Sequence, residues 1–446
     1  MHSKLIIIGA GPGGYETALL AAKKGVDVTL IEAGPVGGTC LNEGCIPTKS
    51  FCKNAEFFEN LLDADVYGID DLAYTFDFKM VVERKNRIVQ QLREGVETLL
   101  KNPKINLVKG TARFVDDHTV EVSGEKYSAD YIIIATGSVS STLPIEGNDL
   151  EGVITSREIL NIDKVPEHLC VIGGGVIGLE FASIFSSLGS EVTVVEYAKE
   201  ILPRFDADLA KRLRQSLTKR GITIHVRSAV KAIKKDGKGL QVVYTKKDKE
   251  EVVECSKVLM AVGRKANVDS LNLSDIGLEF TPRGITIDEN MRTNIPHIYA
   301  IGDVVGQMML AHAAIFQGVR ALNNIMGEKD DLRLDVIPAA VFTMPEVATV
   351  GLTEEECKEK GLNYKARKSF FRANGKAVCL NEPDGYCKLL VADDKIVGCH
   401  IYGAHASDLI QEVCAMITHN MTIQDLQSVI HTHPTLSEVI QTAAIS

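Results

Sequence analysis

The sequence has no apolar run approaching the ~20 residues that a bilayer-spanning helix needs, and its first apolar stretch, LIII at 5–8, meets glycines at once. That excludes a membrane span and a secretory leader, so a soluble, cytoplasmic protein is expected. No block rich in lysine or arginine stands out, and the net charge is −10 with a pI near 5.7. The electrostatic footprint of nucleic-acid binding is therefore missing. Ten cysteines in 446 residues are too sparse for a disulfide scaffold. Low-complexity tracts and long linkers are absent as well. What remains is an ordinary globular composition, 45% hydrophobic and 24% charged. The length exceeds one core and suggests about three domains at ~150 residues each.

An internal repeat carries the first positive signal. Residues 9–32, GAGPGGYETALLAAKKGVDVTLIE, match residues 173–196, GGGVIGLEFASIFSSLGSEVTVVE, at nine positions. Each copy follows an apolar strand (KLIII at 4–8, LCVI at 169–172), opens a helix, and ends in a second strand closed by a glutamate. This is a βαβ unit twice over, each with a GxGxxG turn: Gly9, Gly11 and Gly14, then Gly173, Gly175 and Gly178. The glycines let the turn be tight and let the backbone approach a pyrophosphate at the helix N-terminus. Glu32 and Glu196 can each accept from a ribose hydroxyl, and the carboxylate of Glu196 favours NAD over NADP, whose 2′-phosphate it would repel.

Eight cysteines (Cys52, Cys170, Cys255, Cys357, Cys379, Cys387, Cys399 and Cys414) stand well apart and are expected to be structural thiols. Cys40 and Cys45 lie together in GGTCLNEGCIPTK at 37–49. Residues five apart on a regular helix rise ~7.5 Å and point to different faces, whereas a disulfide wants Cα atoms about 4.4–6.8 Å apart. Bridging them requires an irregular turn, for which Gly44 supplies freedom and Pro47 a stop. The spacing also opens a plant-type iron–sulfur pattern, but Thr48 stands where the third cysteine is needed. Two buried thiols with no redox role remain the bland alternative.

GGTCLNEGCIPTK after a first GxGxxG, GGGVIGLE after it, and HTHPTLSE near the C-terminus resemble the flavin-dependent pyridine nucleotide disulfide oxidoreductases over essentially the whole chain. Within that family the motifs come nearest to the members that oxidise dihydrolipoyl groups for 2-oxo acid dehydrogenase and glycine cleavage systems. The resemblance implies two cofactors, FAD and NAD. The first turn with Glu32 would bind the adenosine half of FAD. Gly110, Thr111 and Ala112 would touch adenine, Thr136 and Gly137 would border the cofactor, Asp303 would meet the ribityl chain, and Ala311 and His312 would run along the flavin edge. The second turn with Glu196, Val230 and Gly263 would bind NAD. Lys49 and Glu180 match the family's ion pair beside the flavin, Lys49 on the FAD side and Glu180 on the NAD side. Cys40 would be the interchange thiol and Cys45 the thiolate nearer the flavin. Two positions depart from the pattern: Ala266 stands where the family usually has proline, and Gln317 where an acidic residue is common.

Three readings compete for HTHPTLSE at 431–438. Zinc is the weakest, because His431 and His433 have no further ligand at suitable spacing. Thr435 and Glu438 can form a capping box ahead of a helix. The resemblance makes His433 a general base oriented by Glu438, as thiol oxidation near neutral pH requires. In the family this base comes from the other subunit of a homodimer whose active site is shared.

The expected architecture is α/β: two Rossmann-like dinucleotide-binding domains plus a C-terminal α+β dimerisation domain. Residues 1–140, closing with a strand YIIIATGS at 131–138, and 266–330 would form the FAD domain, 141–265 the NAD domain, and 331–446 the interface domain. YCKLLVA at 386–392 and KIVGCHIYG at 395–403 suggest a hairpin turning at Asp393 and Asp394. SDLIQEVCAMITHNM at 407–421 has helical spacing. The lipoyl carrier would be another chain, since no lipoyl domain precedes the first turn. A glutathione-type reductase would normally show basic residues at Glu196, a mercuric reductase a C-terminal cysteine pair, and a soluble transhydrogenase no Cys40–Cys45 pair. A non-catalytic assembly subunit that binds FAD only for stability is the alternative from another class.

Overall fold

The computed structural model describes every residue except Lys238. The chain forms two compact units, one of Met1–Ser50, Lys79–Ser141 and Gly263–Leu334, the other of Phe51–Phe78, Thr142–Val262 and Asp335–Ser446. Among the described residues no helix is long and apolar enough to cross a membrane.

In the first unit His2–Ile8 lies between two parallel neighbours, Val28–Glu32 and Glu125–Ile134, with Ile105–Lys109 outside Val28–Glu32. Glu125–Ile134 serves twice: residues 125–128 pair antiparallel with Thr119–Val122, and residues 132–134 pair parallel with Ile298–Ala300. Leu5 and Ile7 enter one core with Ala18, Leu30 and Leu322, while Ile6 and Ile8 enter another with Val120 and Ala300. Burial on both faces explains why the strand reads as a continuous apolar run. The expected strand over 131–138 is corrected: it ends at Ile134, because Gly137 has φ +71° and the chain leaves the sheet. A separate short strand, Ser138–Ser140, then pairs antiparallel with Arg264–Ala266. That places Ala266 in a ladder whose N–H groups a proline would interrupt.

The second unit contains an all-parallel sheet in the order Thr223–His225, Glu191–Val195, His168–Ile172, Lys257–Met260, Val153–Ile154. A three-stranded antiparallel meander covers Ser228–Asp236, Gly239–Lys246 and Lys249–Cys255. The C-terminal part is a five-stranded antiparallel sheet whose centre is the hairpin Tyr386–Ala392 and Lys395–Tyr402. Its turn residues Asp393 and Asp394 both have positive φ, which suits short polar side chains. Helices Ala406–Thr418 and Glu438–Ile445 share its core through Ile410, Val413, Ile440 and Ala443.

A buried ionic cluster that no motif announces lies within this unit. Lys388, fully buried on its strand, donates to Asp206 Oδ1 at 2.5 Å and to Glu354 Oε1 at 2.7 Å. Asp206 also caps the helix Ala207–Lys219. His400 on the neighbouring strand is equally buried, contacting Thr349 Oγ1 and the Leu352 carbonyl, with Nε2 4.0 Å from Asp206 Oδ2. Complete burial lowers the His400 imidazole to about 4, against the pull of Asp206. An unfolded imidazole titrates near 6.5, so below that pH the unfolded chain binds a proton that the folded chain refuses. Stability is expected to hold at neutral pH and to decline as pH falls from about 6.5 toward 4. Urea midpoints across that range check this, and the decline should be shallower in His400→Gln.

Candidate active site

The two glycine turns are built alike. Gly9 has φ +104°, and a Cβ there would lie 2.3 Å from the Ala135 carbonyl oxygen; one on Gly14 would lie 1.8 Å from Gly9 O. In the second turn Gly173 has φ +110°, and a Cβ on Gly178 would lie 2.1 Å from Gly173 O. The helices that follow, Pro12–Lys23 and Val176–Ser187, repeat at the offset of the sequence match. Both start from a glycine N-cap, Gly11 and Gly175, with no side chain capping the first turn. Amides at an uncapped helix start, approachable because no Cβ intervenes, suit a dinucleotide pyrophosphate.

The carboxylates after each unit are held by backbone donors. Glu32 accepts from Ala10 N at 2.6 Å and Gly34 N at 2.7 Å, and Glu196 accepts from Gly174 N and Ala198 N, both at 2.5 Å. About half of each carboxylate's acceptor capacity is left for ribose hydroxyls. Gly110, at φ +145°, donates to the Glu32 carbonyl at 2.9 Å and leads to exposed Thr111 and buried Ala112. Thr136 donates to the Asn267 carbonyl at 2.7 Å beside the Gly137 turn. Ala311 and His312 open the helix Ala311–Ile325. In that helix Gln317 accepts from Gly302 N at 2.7 Å, so its amide oxygen does the accepting expected of a carboxylate. Val230 sits at a register shift in its strand.

Cys40 lies in the helix Gly38–Glu43 and Cys45 opens the helix Cys45–Leu62, with Gly44 at φ −139° and ψ −110° breaking the two apart. Gly44 does what its position suggested. Pro47 does not: it sits in the first turn of the second helix, where its missing N–H costs nothing, and so starts that helix rather than stopping one. The two sulfurs stand within hydrogen-bonding reach of each other. A hydrogen bond to Cys45, then burial, then the charge of Cys45 push the Cys40 thiol well above its ordinary range, while Lys49 pulls the other way. The two thiols therefore titrate as a pair, and the charge of one opposes ionisation of the other. Lys49 follows Cys45 by four residues and shares its helix face.

His433 Nδ1 meets Glu438 Oε1 at 2.9 Å, and Glu438 Oε2 accepts from Thr435 N at 2.8 Å. The backbone bond from Thr435, and then His433, hold the Glu438 carboxyl below its ordinary range. The capping box is corrected: the helix begins at Glu438 with Ser437 as N-cap, and the Thr435 hydroxyl is spent on the Thr432 carbonyl and Ser437. Glu438 thus ties the loop and orients the imidazole at once. His431 Nε2 meets Glu412 at 2.9 Å.

The first unit gathers Gly9, Gly11, Gly14, Glu32, Cys40, Cys45, Lys49, Gly110–Ala112, Thr136, Gly137, Asp303, Ala311 and His312. It also holds Gly263, expected with the NAD residues. The second holds Gly173, Gly175, Gly178, Glu180, Glu196, Val230, His433 and Glu438. There Glu180, almost fully buried, accepts from Phe342 N at 3.0 Å. Ser138 and Arg264, which no motif marks, stand against Asp303 in the first unit. Their approach depends on strand pairing 126 residues apart, for which the sequence carries no local signal. Among the described residues Asp117, His118 and His297 bring metal-ligating atoms within 4.8 Å, but the two imidazoles stack at 3.8 Å and 2°. Their lone pairs lie in parallel planes and do not converge on one ion.

Two family models match: pyridine nucleotide-disulphide oxidoreductase over residues 3–318, and the dimerisation domain of the same family over 337–444. The chain belongs to the pyridine nucleotide-disulphide oxidoreductase family. It is 41% identical to the dihydrolipoyl dehydrogenase of Bacillus subtilis over 100% of this chain and 96% of that one, and 39% identical, with the same coverage, to that of Geobacillus stearothermophilus. Among solved structures it resembles LpdA from Mycobacterium tuberculosis, with a TM-score of 0.92 and 28% identity over 99% of both chains. The flavoprotein disulfide reductase RclA from Escherichia coli matches with a TM-score of 0.87 and 30% identity over 98% of both. As a family member with this dimerisation domain, the protein uses FAD and NAD and pairs as a homodimer. Glu438→Ala should release both the His433 ring and the Thr435 amide. The expected result is faster hydrogen exchange at Thr435 with exchange in the Ala406–Thr418 helix unchanged, measured by NMR.

Proposed function

We infer that the chain oxidises protein-bound dihydrolipoyl groups with NAD⁺ as the final acceptor, the electrons passing through Cys40, Cys45 and FAD. The observation that carries this is the cysteine pair on either side of the Gly44 break, in the same unit as the first glycine turn and Lys49. Likeness over the full length to dihydrolipoyl dehydrogenases supports it.

The proposed sites follow the motifs. The first turn, Glu32, Gly110–Ala112, Thr136, Gly137, Asp303, Ala311 and His312 hold FAD; the second turn, Glu196, Val230 and Gly263 hold NAD. Residues 1–140 and 266–330 serve as the FAD domain, 141–265 as the NAD domain and 331–446 as the interface domain. Gly13 and Gly318 support the first turn from behind, since a Cβ on Gly318 would lie 1.9 Å from Thr17 Oγ1. When bound, FAD would supply the two-electron redox chemistry that links the reduced cysteine pair to NAD⁺.

The chain's own residues do the thiol chemistry. A dihydrolipoyl thiolate attacks Cys40 Sγ of the oxidised pair; the Cys40–Cys45 bond breaks and Cys45 leaves as thiolate. His433 of the partner subunit takes the proton of the second substrate thiol, which attacks the substrate sulfur bound to Cys40. That closes the lipoyl disulfide and returns Cys40 as a thiol once the proton is delivered to it. Glu438 stabilises the imidazolium in the interval. The burial of Cys40 beside Cys45, and the place of Cys45 one helical turn before Lys49, support this division of roles. Lys49 stabilises negative charge that arises beside Cys45. The carrier is a separate lipoyl-bearing protein, and the compartment is the cytoplasm.

The first test is turnover of dihydrolipoamide with NAD⁺, with NADP⁺ in parallel. Rapid reduction of NAD⁺ alone is expected, because Glu196 repels a 2′-phosphate. FAD-loaded protein that turns over neither would favour another disulfide substrate or an assembly role. Cys45→Ser should abolish the long-wavelength thiolate–flavin absorbance seen on two-electron reduction, whereas Cys40→Ser should keep it. A Cys45→Ser protein that retains the band would reverse the two cysteine roles.

A further inference from the structure

Asp303 is held through an intermediary. Ser138 Oγ donates to Asp303 Oδ2 at 2.5 Å, and Arg264 donates twice to the same serine, from Nε to Oγ at 2.7 Å and from Nη2 to the carbonyl oxygen at 2.7 Å. Arg264 Nε stays 3.9 Å from Asp303 Oδ2. A guanidinium this near a carboxylate ordinarily pairs with it directly and bidentately. Here a hydroxyl stands between them, accepting from the arginine while giving its hydrogen to the aspartate, so that each bond polarises the other. The antiparallel pairing of Arg264–Ala266 with Ser138–Ser140 sets the spacing, and the bond from Gly302 N to Gln317 pins the backbone just before Asp303. All these residues belong to the first unit.

We propose that Ser138 and Arg264 are positioning residues for Asp303: the serine spaces arginine from carboxylate and occupies Oδ2, so that the carboxylate is held in the one orientation that accepts from the FAD ribityl chain. This rests on the FAD reading of the first unit. Ser138 is buried, and the Arg264 and Asp303 side chains are only 16% and 25% exposed, so little water competes for these bonds. Burial lowers the proton affinity of the guanidinium, and Asp303, then Cys45 and Glu43, oppose that loss. Remove the hydroxyl and nothing separates the two charges. Asp303 can then close the gap to Arg264 and turn away from the cofactor.

The test is the affinity of the holoenzyme for FAD, measured from the flavin fluorescence released at equilibrium on dilution. Ser138→Ala is expected to weaken FAD binding roughly 10- to 100-fold, the range for losing a hydrogen bond to a charged group. Ser138→Thr, which keeps the hydroxyl, should restore most of it. In an Asp303→Asn background, Ser138→Ala should add less than about twofold, because both changes act through one contact. Arg264→Met carries the same expectation, so a Ser138 variant that fails to fold does not decide the matter. FAD-replete wild type with Ser138→Ala and Arg264→Met binding FAD equally well would overturn the positioning role alone. So would an undiminished penalty in the Asp303→Asn background. A wild-type protein that takes up no FAD would overturn the flavoprotein reading and this role with it.

Discussion

Both glycine turns depend on backbone approaching backbone with no Cβ in the way. At Gly14 and Gly178 the missing methyl would sit about 2 Å from the carbonyl oxygen of Gly9 or Gly173, well inside any permissible contact. Only that closeness lets the helix start directly at the strand end, with uncapped amides aimed where a pyrophosphate binds. The same constraint operates twice, so the chain has two turns of one design, each of which suits a dinucleotide. Downstream of each turn stands a carboxylate, Glu32 in one and Glu196 in the other, each oriented by two backbone donors.

The redox pair obeys a related logic. Two cysteines five apart cannot face each other on one helix, so Gly44 breaks the helix between them and Pro47 restarts it. The break makes the sulfurs neighbours and their titrations interdependent: once Cys45 is charged, Cys40 holds its proton tightly. Such coupling suits an exchange centre, where the two sulfurs should not ionise together. Glu438 shows similar economy in the second unit, where one carboxylate both ties a loop amide and orients an imidazole.

The departures from the family pattern are accommodated chemically. Gln317 offers an amide oxygen to Gly302 N where a carboxylate is common, and the contact requires an acceptor rather than a charge. Ala266 joins a strand ladder opposite Ser138, and that ladder carries Arg264 to its place beside the serine. The cluster of Lys388, Asp206, Glu354 and His400 works at a different level, tying a strand of the antiparallel sheet to the cap of the helix Ala207–Lys219. Paired in this way, each charge offsets the burial cost of the others.

The sequence by itself determined the features that rest on local spacing. The glycine turns, the strands before and after them, the hairpin at Asp393 and Asp394 and the break at Gly44 are all short-range steric requirements, written in consecutive residues. Its misjudgements are of the same short range: the strand carried past Ile134, the role of Pro47, and the capping box at Thr435, each decided by partners that local spacing does not reveal. Tertiary structure alone decided the contacts between distant segments. Ser138 meets Arg264 across 126 positions and Lys388 meets Asp206 across 182. No periodicity marks such pairs, because what joins them is sheet register and the cost of burying a charge alone, and both exist only once the chain has folded.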